Sequence, residues 1–206
     1  MNKHRHGDWQ QEGRAGRAPL LHGIGWGLMG GLAGTLAMDI LLIGILSAVD
    51  YPPLLCFTIV GDTVSRFFST FGLPLAGGIS TGVVAHYSVG PMMGLLFGAG
   101  AAILPMLAPL REGRREGTLK KNILAAVLWV EILSQPLLAS TPILLKMTPA
   151  EALLWYGGSF VMHLVYGIIL GIVAGSGLRS VRPSAPVQSA YAVDPLKTLE
   201  ISLRIR

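Results

Sequence analysis

HYSVGPMMGLLFG (86–98) and HLVYGIILGIVAG (163–175) share one skeleton, His-x-x-x-Gly-x-x-x-Gly-x-x-x-Gly, and both lie inside long apolar segments. Four residues advance an α-helix by about 400°, so each histidine and its glycines form one gently wrapping ridge. Small residues four apart let helix backbones approach closely. That is how helices associate in lipid, where apolar side chains gain nothing from one another. Gly90, Gly94 and Gly98, and likewise Gly167, Gly171 and Gly175, are therefore read as helix-packing seams.

The surrounding chain has a membrane composition. Of 206 residues, 51% are hydrophobic and 13% charged, whereas soluble domains carry about 25% charged residues. The mean hydropathy is +0.58. Apolar runs fall at 22–48, 77–104, 123–145 and 152–178, each longer than the ~20 residues that cross a hydrocarbon core. The expectation is an all-α membrane protein of four spans over 21–178, with disordered arms at 1–20 and 179–206. No small-residue cleavage site follows the first run, which is also too long for a signal peptide.

Charge sets the expected orientation. Lys3, Arg5, Arg14 and Arg17 precede span one, and Arg111, Arg114, Arg115, Lys120 and Lys121 fill the link between spans two and three. Arg179, Arg182, Lys197, Arg204 and Arg206 follow span four, while the other two links hold only Arg66 and Lys146. Lys and Arg stay on the cytoplasmic side, which places both termini and the middle link there. The net charge of +5 and pI near 9.7 follow from that bias and from anionic lipid as partner. Neither a basic helix nor an aromatic platform accompanies the charge, so nucleic acid is not an expected partner. A single cysteine, Cys56, excludes an intrachain disulfide.

Between spans one and two, LLCFTIVGDTVSRFFSTFG (54–72) is too polar to span. Leu55, Ile59, Phe67 and Phe71 can share one face and Asp62 can pair with Arg66 at i,i+4, which suggests an interfacial helix. Thr148-Pro149-Ala150-Glu151 combines a capping box with proline at the first helical position, so span four should start near 149. GWGLMG (25–30) matches the GxGxxG fingerprint, but no strand or βαβ unit accompanies it, so these are packing glycines.

Two hairpins, 22–110 and 120–178, follow the same order. Each carries an acid in its first helix (Asp39, Glu131) and a His-led ladder in its second, a pattern expected of a parallel internal repeat. Span one has its own ridge of Gly23, Gly27, Gly31, Thr35 and Asp39. Span three places Glu131, Ser134 and Gln135 together just before Pro136, where a kink is expected. Seams face other helices, so Asp39, His86, Glu131, Gln135 and His163 should form an inward polar cluster. An ionised carboxylate at mid-bilayer costs ~2.5–3.5 kcal/mol, which asks for a partner, and the histidines lie at matching heights.

Four roles fit such a cluster. It can be polar glue, with Asp39 bonded to His86 and Glu131 to His163. It can be a proton-linked pathway for a small solute. It can be a divalent-metal site on His86, His163 and the two carboxylates, although the di-iron Glu-x-x-His signature is absent. It can be a bis-His haem site between spans two and four. The expected function is non-enzymatic and without cofactor: proton-linked transport or an accessory membrane subunit, alone or as a homo-oligomer. The alternative is a haem- or metal-dependent membrane oxidoreductase. Leucine at Gly94 or Gly171 should force helices apart, whereas leucine at Gly177, near the membrane edge, should do far less.

The small-residue first span, the His-led ladder of span two, Glu131 with Pro136 in span three, and WYGGSFVMHLVYGIILG (155–171) together resemble the YagU-like group. The likeness covers 22–178. It implies a four-span protein of the bacterial inner membrane with an association to stress or acid tolerance, and it carries over no catalytic residue. This chain has Glu131 where that group has a histidine.

Overall fold

All four apolar runs become helices long and apolar enough to cross a membrane: Leu20–Ala48, Gly78–Ile103, Leu119–Leu145 and Pro149–Leu178. They belong to a computed structural model that describes residues 5–103 and 115–180, with side chains over 20–103 and 119–178. Its five helices are α1 (Arg5–Ala48), α2 (Leu55–Ser69), α3 (Gly78–Ile103), α4 (Arg115–Leu145) and α5 (Pro149–Ser180), and the described residues include no strand. The backbone of α1 is helical from Arg5, through much of the stretch expected as an arm. Elongating an existing helix avoids the costly nucleus, and Gln, Glu, Ala and Arg are good helix formers. The C-terminal tail beyond Ser180 and the link at 104–114, with its arginines, lie outside the described residues.

Helix ends follow local chemistry. α1 stops where Asp50 takes φ 57° and Tyr51 N–H returns to the Leu46 carbonyl at 2.9 Å. α4 stops the same way, with Lys146 at φ 56° and Met147 N–H on the Pro142 carbonyl at 3.0 Å. Both are left-handed caps of the Schellman kind. The capping box opens α5 as the spacing predicts: Thr148 N–H donates to Glu151 Oε2 at 2.7 Å, and Glu151 N–H donates to Thr148 Oγ1 at 3.3 Å.

α1 lies between α3 and α5, α4 packs on α5, and α2 packs on α3 and reaches α4. The α1–α3 seam is glycine on glycine. A Cβ at Gly94 would fall on the Gly27 carbonyl oxygen, one at Gly98 on that of Gly23, and one at Gly31 on that of Gly90. The α4–α5 seam is glycine on larger residues: Gly167 faces Val127, Gly171 faces Ile123, and Gly175 faces Asn122. α1 uses a second edge for α5, with Gly30 against Leu170 and Gly34 against Tyr166. GWGLMG is thus helical packing surface, as its context implies. Gly177 differs from expectation: a Cβ there would strike the Trp26 ring. A seam ends where the last side chain ends, and the indole of Trp26 extends it by a turn.

α4 continues as helix through Pro136 and Pro142. Proline lacks an N–H, so each leaves the carbonyl four residues earlier without its usual donor. For Pro142 that carbonyl is Leu138, and Trp155 Nε1–H of α5 donates to it at 3.2 Å.

A helix does form over the segment between the first two long helices, and one face of it is buried. α2 buries Phe57, Val60, Gly61 and Thr63, while Phe67 and Phe71 point outward at 46% and 67% exposure. Gly61 and Gly82 let α2 and α3 touch by backbone. Asp62 and Arg66 tie α2 to two different neighbours instead of pairing together. Asp62 Oδ1 accepts from Gly78 N–H at 2.7 Å, and Arg66 Nη1 donates to the Leu144 carbonyl at 3.2 Å.

Candidate functional site

Close contact between the glycine ridges of α1 and α3 has a chemical consequence one turn further along. Asp39 continues the α1 ridge and His86 heads the α3 ladder, so the same approach delivers a carboxylate to an imidazole. Asp39 Oδ1 stands 2.9 Å from His86 Nε2, with the two side chains 7% and 16% exposed. The distance is that of an ion pair, yet the ring N–H does not aim at the oxygen well enough for a hydrogen bond, and Asp39 Oδ2 makes no hydrogen bond of ordinary distance and angle. Polar groups buried this deeply are nearly always hydrogen-bonded, so the pair is close but only partly satisfied.

Aromatic and sulfur groups complete the surround. Phe57 of α2 meets the His86 ring edge-on at 5.5 Å between centroids, and Tyr87 flanks it at 6.0 Å. The Tyr87 hydroxyl lies within electrostatic reach of Asp39. Cys56 is also near: burial first, and then the Asp39 charge, push its thiol up to about 11. Both causes act alike, because each disfavours a second negative charge in a poorly solvated place.

The second histidine is arranged otherwise. His163 lies within charge reach of His86, but its Nδ1 is buried without a partner, and so is Glu131 Oε1. The expected Glu131–His163 bond is not made. Glu131 and its neighbours look to their own helix: Ser134 Oγ and Gln135 Nε2 both donate to the Glu131 carbonyl, at 3.1 and 2.9 Å. Gln135 is exposed on the outside of the bundle, so it does not join the inward cluster. The α5 ladder meets the α4 backbone at Val127 and Ile123, and at that register Glu131 and His163 make no hydrogen bond to each other. Tyr166, one turn past His163, instead joins α5 to α3 by donating its hydroxyl to the Gly90 carbonyl at 2.5 Å.

No known protein family, curated protein or solved structure matches this chain.

The site therefore rests on its geometry. Among the described residues, no three His, Cys, Asp or Glu side chains converge closely enough to hold a metal ion, so the four-residue metal site is not assembled. One imidazole nitrogen of His86 is turned to Asp39, and Phe57 covers its ring, which leaves little of this side chain to offer haem iron. Sequence reasoning missed Tyr87, Phe57 and Cys56 as neighbours of the pair. Tyr87 adjoins His86 in the chain and was legible in principle, whereas the other two arrive only because α2 folds against α3. It also missed Asn122, which is 1% exposed with both amide atoms unpartnered, seated where Gly175 leaves room.

Proposed function

We propose that this chain is a polytopic protein of the bacterial inner membrane, with both termini and the 104–114 link cytoplasmic. In this reading the Asp39–His86 pair takes up and releases a proton in step with movement of a small solute. The observation that carries it is the half-satisfied carboxylate: Oδ1 beside an imidazole and Oδ2 without an ordinary hydrogen bond, in a buried position. A purely structural clamp would align its hydrogen bonds and use both oxygens. The carboxylate and the imidazole, 2.9 Å apart, give a proton two basic atoms to occupy within one buried contact. The matching left-handed caps of α1 and α4 support reading the hairpins as a parallel repeat, in which the first copy holds the proton site. The acid-tolerance association of the YagU-like group fits a protein that exchanges protons.

Proton movement into reconstituted vesicles tests this. Purified protein in liposomes carrying an interior pH dye, under a potassium diffusion potential and with a pooled small-molecule cell extract outside, should acidify the lumen faster than protein-free vesicles. Asp39→Asn and His86→Leu, checked for folding by thermal melting, should return the rate to that of empty vesicles. Equal rates for wild type and Asp39→Asn would reduce the pair to polar glue.

A further inference from the structure

We propose that the outward stripe of α4 is a pairing surface for a second copy of this chain, joined by reciprocal Gln135 hydrogen bonds at the membrane midplane. The inference rests on the membrane-spanning part of the reading above and is independent of proton exchange. Leu124, Leu128, Ile132, Gln135, Ala139 and Ile143 recur at intervals of three and four, and all are exposed, so they form one stripe. Ile132 lies midway along Leu119–Leu145, which puts Gln135 less than one turn from the centre of the hydrocarbon. Gln135 Nε2 donates to its own Glu131 carbonyl at 2.9 Å, but an amide has two N–H groups and a carbonyl oxygen. The remaining donor and acceptor face outward.

Pro136 frees a second acceptor in the same place. It removes the donor that the Ile132 carbonyl would have four residues on, and Ile132 is 66% exposed. The comparison with Pro142 is instructive, because there the freed Leu138 carbonyl is supplied by Trp155 from within the chain. Two other outward surfaces among the described residues contrast with it. The α1 stripe of Leu28, Leu32, Leu36 and Ile40 is wholly apolar, and exposed Ser88 donates to the Val84 carbonyl at 2.7 Å.

Lipid offers neither donor nor acceptor at this depth. An amide is self-complementary, so a second copy related by a twofold axis supplies both. Its Gln135 N–H meets the outward amide oxygen or the Ile132 carbonyl, and the reverse contact follows by symmetry. Ala139, one turn away, is small enough for the helices to approach.

The test uses full-length protein, donor- or acceptor-labelled at its C-terminus, in liposomes at a series of protein-to-lipid ratios. Flotation with the vesicles is recorded first. Protein that fails to float overturns the membrane reading together with this one, whereas floating protein without association overturns this one alone. Energy transfer should titrate with dilution as a dimer, and Gln135→Leu should weaken association by about tenfold or more, since two hydrogen bonds are lost. Gln135→Asn should keep part of it. In a Cys56→Ala background, Ile132→Cys should cross-link to itself, and Ile40→Cys on the outward stripe of α1 should not. Unchanged association in Gln135→Leu, or cross-linking at Ile40→Cys in place of Ile132→Cys, rejects the proposal.

Discussion

The two His-led ladders read alike and are used differently. In the first hairpin both helices carry small residues, so Gly23, Gly27 and Gly31 meet Gly98, Gly94 and Gly90 backbone to backbone, and Asp39 arrives at His86. In the second hairpin only α5 carries the ladder. Its glycines meet the backbone of Val127 and Ile123 and the side chain of Asn122, and Glu131 and His163 stay unpaired. A glycine ladder thus specifies a close approach, while the opposite helix decides what chemistry that approach delivers.

The largest effect should come from filling the symmetric seam. Gly94→Leu would place a side chain where the Gly27 carbonyl and Gly31 backbone now stand, with no flexible neighbour able to give way. A loss of about 3 kcal/mol or more is expected from such overpacking, read by thermal or denaturant unfolding in lipid micelles. Gly177→Leu should also be strongly destabilising, because the obstacle is the Trp26 ring near its root. A wild-type melting curve for Gly177→Leu would show that this end of the seam is loose.

Double-mutant cycles sharpen the contrast between the hairpins. Asp39→Asn with His86→Leu should show a coupling of about 1–3 kcal/mol, as residues in direct contact do. Glu131→Gln with His163→Leu should add within about 0.5 kcal/mol. Coupling of similar size in both cycles would mean that the two hairpins use their acids alike.

Smaller still is the response of Cys56. Its thiol is pushed up to about 11, so the reactive thiolate is scarce at neutral pH and grows about tenfold per pH unit. Alkylation by a membrane-permeant maleimide should therefore keep rising beyond pH 9 without a plateau. Asp39→Asn, which removes the lesser of the two causes, should shift the curve modestly to lower pH. A plateau near the ordinary thiol range would place Cys56 in contact with solvent, away from Asp39.

The smallest effects belong to glycines outside any seam. A Cβ at Gly25, Gly44 or Gly157 meets nothing within 4 Å, so alanine there should be neutral or stabilising by roughly 0.5–1 kcal/mol through helix propensity. A marked loss at Gly157→Ala would reveal a contact that the monomer lacks.

Much of the architecture was legible in the residues themselves. Length and apolarity mark four spans, Thr148 with Glu151 marks the start of α5, and the four-residue spacing marks the ridges. These are local properties, set by hydrogen-bond geometry and solvent transfer within one helix. The polar cluster was legible only in part. Asp39 and His86 each sit on a small-residue ridge, so both were expected inside, and their pairing follows from two ridges meeting. Glu131 lies on no such ridge, and where its side chain turns depends on how α4 is rotated against α5. Which face of α2 packs inward was not legible for a similar reason: Phe67 and Phe71 are as apolar as Phe57, and hydrophobicity does not distinguish a core neighbour from lipid.

Sequence by itself therefore determined which apolar segments are helical, where α5 starts, and which edges are narrow enough for backbones to touch. Tertiary structure alone decided which narrow edges meet, that Asp39 has a partner while Glu131 has none, and that Phe57 and Cys56 close over the pair. The reason is physical: helix formation and capping are satisfied within a few residues of chain. Relative rotation and register depend on the shapes of two surfaces at once, and neither helix carries the shape of the other.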